Sequence, residues 1–330
     1  MTPREALFDA ADVAPALPVC DHYSGVEARM RKSLALQAEL GPVFDVTLDC
    51  EDGAPVGGEA EHAQLCAELV MSSANRFGRV GARVHSVDHP SFDNDVDTLV
   101  RRAGARLAYL MVPKPRGLAD VGRAVEAIDH VVRIHSLGHA IPVHVLVETH
   151  GALREVDAIA AHPRIESVSF GLMDFVSAHR GAIPATAMGA QGQFTHPLVV
   201  RAKLEISAAC HAHGKTPSHC VVTEFKDLHA LAAAATRAAR EYGYTRMWSI
   251  HPDQVRTIVD AFAPTAAEVD LAIEIVRAAQ DAQWAPIRHR DTLHDRASYR
   301  YYWQVLERAH RTGQPLPAEV RQAWFETPAA

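Results

Sequence analysis

The sequence predicts an α/β fold, a (β/α)8 barrel of the TIM type followed by a C-terminal helical extension, on three observations. Short apolar runs alternate with longer helical stretches along most of the chain, and eight such runs can be counted. The chain beyond the eighth run is helical and too long to be the last helix of a barrel. Strands that are each followed by a helix call for right-handed crossovers and a parallel sheet. Eight such units close most naturally into a barrel, while an open doubly wound sheet of the same chain order stays compatible with the pattern.

The strand candidates, in order, are residues 17–21, 43–48, 82–85, 108–112, 143–147, 167–170, 218–222 and 247–250. Between them, residues 58–72, 118–136, 151–161, 197–212 and 224–242 are rich in Ala, Leu, Glu and Arg, with apolar residues three and four apart, as amphipathic helices require. After the eighth strand come helical stretches at 266–283 and 298–311, joined by a polar link at 287–296 that holds three Arg and two His. Residues 1–263 are thus expected to form the barrel, and residues 264–330 an extension that covers the barrel mouth or a neighbouring subunit. The segment 177–194 is small and Gly/Ala-rich, which suits either a mobile lid or a loop at a subunit contact.

Composition removes several function classes. Hydrophobic content of 48% and charged content of 22% are those of an ordinary globular protein. No run approaches the roughly 18 apolar residues of a membrane span. The stretch 1–16 carries Glu5, Asp9 and Asp12 with one Arg, unlike a secretory signal, so a cytoplasmic location is expected. Five cysteines, scattered without a C-x-x-C pair, argue against a disulfide framework and a zinc cage, and reduced buried thiols are expected instead. A net charge of −7 without a Lys/Arg cluster excludes a nucleic-acid surface and leaves a small molecule as the partner.

In a barrel enzyme the loops after the C-terminal strand ends build the site. Five polar sets fall there: Asp49-Cys50-Glu51-Asp52-Gly53 after the second strand, Arg83 and His85 in the third, Lys114 after the fourth, Glu148-Thr149-His150 after the fifth, and Gly171-Leu172-Met173-Asp174 after the sixth. His251 follows the eighth. Carboxylates at neighbouring strand ends, without cysteine, suit a hard oxygen-seeking cation such as magnesium. Each acidic residue also suits a helix cap, which Asp52 or Asp174 can form, although five ionisable strand ends together speak for a site. Most of the 20 histidines are isolated on helices. His150 stays open as a third ligand.

These pieces resemble the family that unites the citrate lyase β subunit, the malyl-CoA lyases and the 2-oxo-acid aldolases of the HpcH/HpaI type. The matching segments keep their order: LDCEDGAP at 48–55, ARVHS at 82–86, VPKP at 112–115, VLVETHGAL at 145–153, SFGLMDF at 169–175 and YGYTRMWSIHPDQV at 242–255. The resemblance implies that Glu148 and Asp174 bind Mg2+, with Asp52 holding a water on the metal. It implies that Arg83 faces the substrate's carbonyl or enolate oxygen, and that backbone N–H groups of Gly171, Leu172 and Met173 bind the substrate carboxylate, with Lys114 also approaching the substrate. It further implies a homotrimer or a dimer of trimers, in which an aspartate of a C-terminal G-x-M-I-D segment reaches a neighbouring site as an acid/base group. The matching stretch here is Asp291-Thr292-Leu293-His294-Asp295, so Asp295 is the candidate, although Asp291 stands where the family has glycine. A surface ion pair is its other reading.

The expectation is a magnesium-dependent carbon–carbon lyase that cleaves or forms a 3-hydroxyacyl-CoA thioester, such as malyl-CoA or citryl-CoA, through an enolate. An aldolase of 2-oxo acids or an acyl-CoA thioesterase would use the same site, and a non-catalytic barrel would keep ligand binding. His85 stands where relatives often have Asn, and Pro115-Arg116 follows Lys114 in place of the usual residues. These departures bear on the substrate, not on the metal.

Overall fold

Eight parallel strands pair in chain order in the computed structural model, and the eighth returns to pair with the first. The sheet is closed, which excludes the open doubly wound alternative. The structure describes residues 2–9 and 15–326; residues 1, 10–14 and 327–330, and with them Asp12 of the N-terminal stretch, lie outside the description. A short helix, α1 (Pro3–Leu7), comes first in the chain. The barrel runs β1 (Cys20–Ser24), α2 (Glu27–Leu40), β2 (Phe44–Asp49), α3 (Glu59–Met71), β3 (Val80–Arg83), α4 (Phe92–Ala103), β4 (Leu110–Val112) and α5 (Leu118–Ile134). It continues through β5 (Val143–Val147), the pair α6 (His150–Arg154) and α7 (Val156–Ala161), β6 (Ile165–Phe170), α8 (Leu172–Ser177) and α9 (Pro197–Ala212). It closes with β7 (Thr216–His219), α10 (Leu228–Glu241), β8 (Arg246–Ser249) and α11 (Pro252–Phe262).

Side chains alternate along a strand, and here the inward set is layered. The lowest layer is ionic. Asp21 accepts hydrogen bonds from the Thr47 hydroxyl at 2.7 Å and the Tyr109 hydroxyl at 3.0 Å. Arg246, fully buried, lies between Asp45 and Asp21, its Nη2 3.2 Å from the Asp21 carboxylate. A Cβ at Gly81 would come within 2.4 Å of the Tyr109 ring, so the bare backbone of β3 is what lets that hydroxyl reach across the interior. Above this layer Tyr23, Met111, Leu146, Val221 and Trp248 form an apolar plug, with Tyr23 stacked on Trp248 at 4.3 Å. The strand ends lie beyond the plug.

The layering explains where the strands depart from the sequence reading. β1 lies three residues later than predicted: Pro18 has no N–H to give a strand ladder, and the polar Asp21 and His22 end the apolar run that marked it. β7 starts two residues earlier, at Thr216. The helix predicted at 151–161 is broken at Glu155, whose carboxylate turns to accept from the Leu118 amide at the start of α5 at 2.7 Å. The segment 177–194 contains two 3-10 turns, and Gln193 and Phe194 at its end are buried.

A second compact unit comprises α12 (Ala266–Asp281), the strands β9 (Ile287–His289) and β10 (Thr292–His294), α13 (Arg296–Arg311) and α14 (Ala318–Trp324), together with α1. Leu7 of α1 is fully buried among Ile273, Val276, Tyr299 and Trp303, and Arg300 donates to the Leu7 carbonyl at 2.8 Å. The first residues therefore belong with the extension, not with the barrel expected over 1–263, since chain position does not decide which core Leu7 fills. The barrel unit is Pro15–Ala261, and the second unit takes up at Phe262, in the last turn of α11. The link at 287–296 is a hairpin whose turn residues Arg290 and Asp291 both have positive φ, 45° and 65°, as a type I′ turn requires. Three-residue strands are too short for alternation to reveal them. Among the described residues no helix is long and apolar enough to cross a membrane.

Candidate metal and substrate site

The last residues of β2 and β3, Asp49 and Arg83, are register partners at the C-terminal end of the barrel. The Asp49 carboxylate accepts two hydrogen bonds from the Arg83 guanidinium, one of them from Nε at 2.7 Å. It also accepts from the amides of Glu51 at 2.9 Å and Gly53 at 2.8 Å, which folds the 49–53 loop back over the strand end. Glu51 adds a second carboxylate 3.2 Å from Arg83 Nη1, and the Tyr23 ring lies beneath the guanidinium at 5.4 Å. Burial works against the charge on Arg83, but Asp49 and Glu51 outweigh it and keep the group firmly protonated.

Lys114 bridges to this loop. Its Nζ sits between Glu51 and Asp52, 2.7 Å from the latter, and its backbone, in the left-handed region at φ 51°, donates its N–H to Glu148 Oε1 at 2.7 Å. Burial alone would raise the Asp52 carboxyl, yet the Lys114 ammonium holds it below the usual range.

Glu148 follows β5, and Asp174 lies in the first turn of α8 after the neighbouring β6. Glu148 is only 3% exposed. A Cβ at Gly171 would fall 2.4 Å from its Oε2 and 2.5 Å from its Cβ, so the glycine forms the wall against which this carboxylate rests. Burial first, and the charge of Asp174 second, push the Glu148 carboxyl well above its usual range, with Arg83 pulling the other way. A buried carboxylate raised by a second carboxylate fits a divalent cation: one bound ion would offset both the desolvation and the repulsion. The donors are oxygens only, which suits magnesium.

The remaining residues singled out in the sequence have varied surroundings. The Gly171 amide donates to the Val147 carbonyl at 2.9 Å and so is committed, which corrects its expected contact with a substrate carboxylate. Leu172 and Met173 open α8, the former buried and the latter 40% exposed. His150 is exposed and packs edge-on against His179 and Phe175, at 4.4 and 5.4 Å. His85 is tied to Asp95, its Nδ1 2.6 Å from the carboxylate. Asp295, in the second unit, caps α13 by accepting from the amides of Ala297 at 3.0 Å and Ser298 at 3.3 Å, a helix cap in place of the expected surface ion pair.

A cavity of about 660 Å³ opens at this end of the barrel. Arg83, Asp49 and Asp52 line it together with residues that the sequence does not single out: Arg29 and Lys32 of α2, Phe225, Trp248 and Ile250. Three-residue spacing on one helix places Arg29 and Lys32 on one face, a signal available in the sequence. The apolar members carry none, because they look like ordinary core.

Residues 42–252 match the family described as HpcH/HpaI aldolase/citrate lyase. The chain is 57% identical to a citrate lyase of Burkholderia xenovorans of known crystal structure, covering 98% of this chain and 100% of that one with a TM-score of 0.85. It is 29% identical to an L-malyl-CoA/beta-methylmalyl-CoA lyase of Cereibacter sphaeroides over 72% of this chain and 77% of that protein. The protein CitE of Mycobacterium tuberculosis, solved with magnesium, acetoacetate and coenzyme A, is 19% identical over 89% of this chain and 99% of its own, with a TM-score of 0.67, a likeness of fold.

Proposed function

This chain belongs to the HpcH/HpaI aldolase/citrate lyase family, and from that premise we propose that it is a magnesium-dependent carbon–carbon lyase acting on a 3-hydroxyacyl-CoA thioester such as malyl-CoA or citryl-CoA. The observation that carries the proposal is geometric: Glu148 and Asp174 follow the adjacent strands β5 and β6, and the buried Glu148 carboxylate rests against Gly171, three residues before Asp174. The names of the relatives support the reaction class and the thioester, and the magnesium and coenzyme A of the CitE structure accord with the metal and the coenzyme A moiety.

In this proposal Glu148 and Asp174 hold the cation, and the Lys114 amide and the bare Gly171 backbone fix the direction of Glu148. When bound, magnesium supplies Lewis acidity to the oxygens of the hydroxy or oxo acid half of the substrate. Cleavage passes the hydroxyl proton to Asp295 of a second copy and breaks the bond between the hydroxyl-bearing carbon and the carbon next to the thioester, with the electron pair passing into the thioester enolate. Arg83, held charged by Asp49 and Glu51, faces the oxygen on which that charge collects. Asp52, kept ionised by Lys114, serves as the polar neighbour of the metal's remaining sphere. Asp295 of a second copy, in a trimer or dimer of trimers, returns a proton to the enolate carbon. Arg29 and Lys32 offer positive charge to a diphosphate, while Phe225, Trp248 and Ile250 offer an apolar wall to a pantetheine arm.

The test is direct. Protein incubated with magnesium and malyl-CoA or citryl-CoA is expected to release an oxo acid and acetyl-CoA, and chelation should stop the reaction. Free coenzyme A without a carbon–carbon fission product would identify a thioesterase. Cleavage of free 2-oxo acids with neither thioester turned over would identify an aldolase, and binding of a 2-oxo acid without any turnover would identify a non-catalytic barrel.

A further inference from the structure

We propose that Cys50, His62 and Cys66 form a second metal site, selective for a soft divalent cation and best suited to zinc, behind the strand end that holds Arg83. The scattered cysteines of the sequence argue against a zinc cage, but the fold brings two of them together. Cys50 is the first residue after β2, while His62 and Cys66 stand four residues apart on α3, on one helix face. One ligand atom from each of the three lies within 4.8 Å of the others.

Three features match zinc. The two sulfurs are 3.7 Å apart, and a tetrahedral ion with bonds of about 2.3 Å to sulfur has its thiolates about 3.8 Å apart. His62 Nε2 lies 2.9 Å from the Asp49 carbonyl, which can only accept. That contact places a proton on Nε2 and leaves Nδ1 for a ligand, the arrangement by which metal-binding histidines are usually oriented. The donor set, two sulfurs and one imidazole, is soft where that of Glu148 and Asp174 is hard, so the two sites would sort different cations.

Both sulfurs are buried, with His62 at the half-exposed edge, so the fourth position is left to a water entering from that side. Because His62 anchors on Asp49, whose side chain grips Arg83, occupancy would stiffen the 49–53 loop.

The test uses the full-length protein, stripped with chelator, reduced, and titrated with zinc against a chromophoric competitor in excess magnesium, which keeps the hard site filled. One tight equivalent is expected. Cobalt in place of zinc should give the intense sulfur-to-metal charge-transfer band of a thiolate site, a readout that needs no variant. His62→Gln, at a half-exposed position, and Cys66→Ser should each weaken zinc by more than the 10–100-fold that losing an outer partner costs. Unchanged zinc affinity in His62→Gln, a cobalt spectrum without the charge-transfer band, or a Cys50–Cys66 disulfide forming in air with no zinc uptake after reduction would each overturn the site. Zinc binding is read here without turnover, so these outcomes do not depend on the proposed reaction.

Discussion

Asp49 and Arg83 end adjacent strands and are joined by a two-pronged hydrogen-bonded ion pair, with Nε of Arg83 2.7 Å from Asp49 Oδ1. Both side chains are almost fully buried, so the pair does more than a surface ion pair: it keeps one guanidinium charged and pointing in one direction at the floor of the cavity.

Asp49→Asn removes the charge and replaces one acceptor with a donor facing a donor. Stability is expected to fall by about 3 kcal/mol, as when one partner of a buried pair is lost. Turnover should drop by about 100-fold or more. Arg83→Lys keeps the charge and loses the fork, so kcat should fall by a comparable factor with the fold intact. Urea denaturation and steady-state kinetics check both.

Gly171→Ala sets a methyl group where Glu148 now rests, 2.4 Å from Oε2. Glu148 must rotate away, and magnesium affinity, measured by calorimetry, should fall at least about 10-fold. An alanine variant with wild-type affinity would show that the carboxylate does not need this wall.

Arg29→Ala and Lys32→Ala change the exposed rim of the cavity. If the substrate is a thioester of coenzyme A, KM should rise roughly 10-fold in each, more steeply at low salt, with kcat little changed. Activity on a short thioester lacking the nucleotide should be the same in wild type and variants.

Lys203 of α9 is fully buried, its Nζ 2.7 Å from both Gln193 Oε1 and His219 Nε2. Burial lowers it from the ordinary 10.5 to about 8. The folded chain therefore binds fewer protons than the unfolded chain between these values, and this group's contribution to stability rises with pH across that window. Below about 8 the full cost of burying the charge is present. The stability of wild type minus that of Lys203→Met should climb between about pH 8 and 10 by an amount on the order of 3 kcal/mol. A flat difference would mean that Lys203 is not desolvated as described.

The fold is legible in the sequence because helix periodicity and strand spacing survive averaging: the segment 197–212 coincides with α9, and eight strand runs anticipate the eight strands of the barrel. Strand limits are less legible where inward residues are polar, as with Asp21, Asp45 and Arg246, since a pattern of apolar runs cannot see an ionic layer. Within the site, Glu148, Asp174 and Arg83 stand out as charges at strand ends. The partner of Arg83 does not, because nothing in LDCEDG tells which of its three carboxylates turns inward; Asp49 does, with Glu51 beside it. The meeting of Cys50 with Cys66 is equally hidden, since it depends on how α3 docks on β2.

A crystal soaked with magnesium and oxaloacetate, pyruvate or glyoxylate tests the central claim most directly. Density for one ion bridging Glu148 and Asp174, with the ligand's oxygens completing its shell on the side of Arg83, is expected, together with loss of both ion and turnover in Glu148→Gln and Asp174→Asn. An ion bound elsewhere, or turnover that persists in either variant, would contradict it.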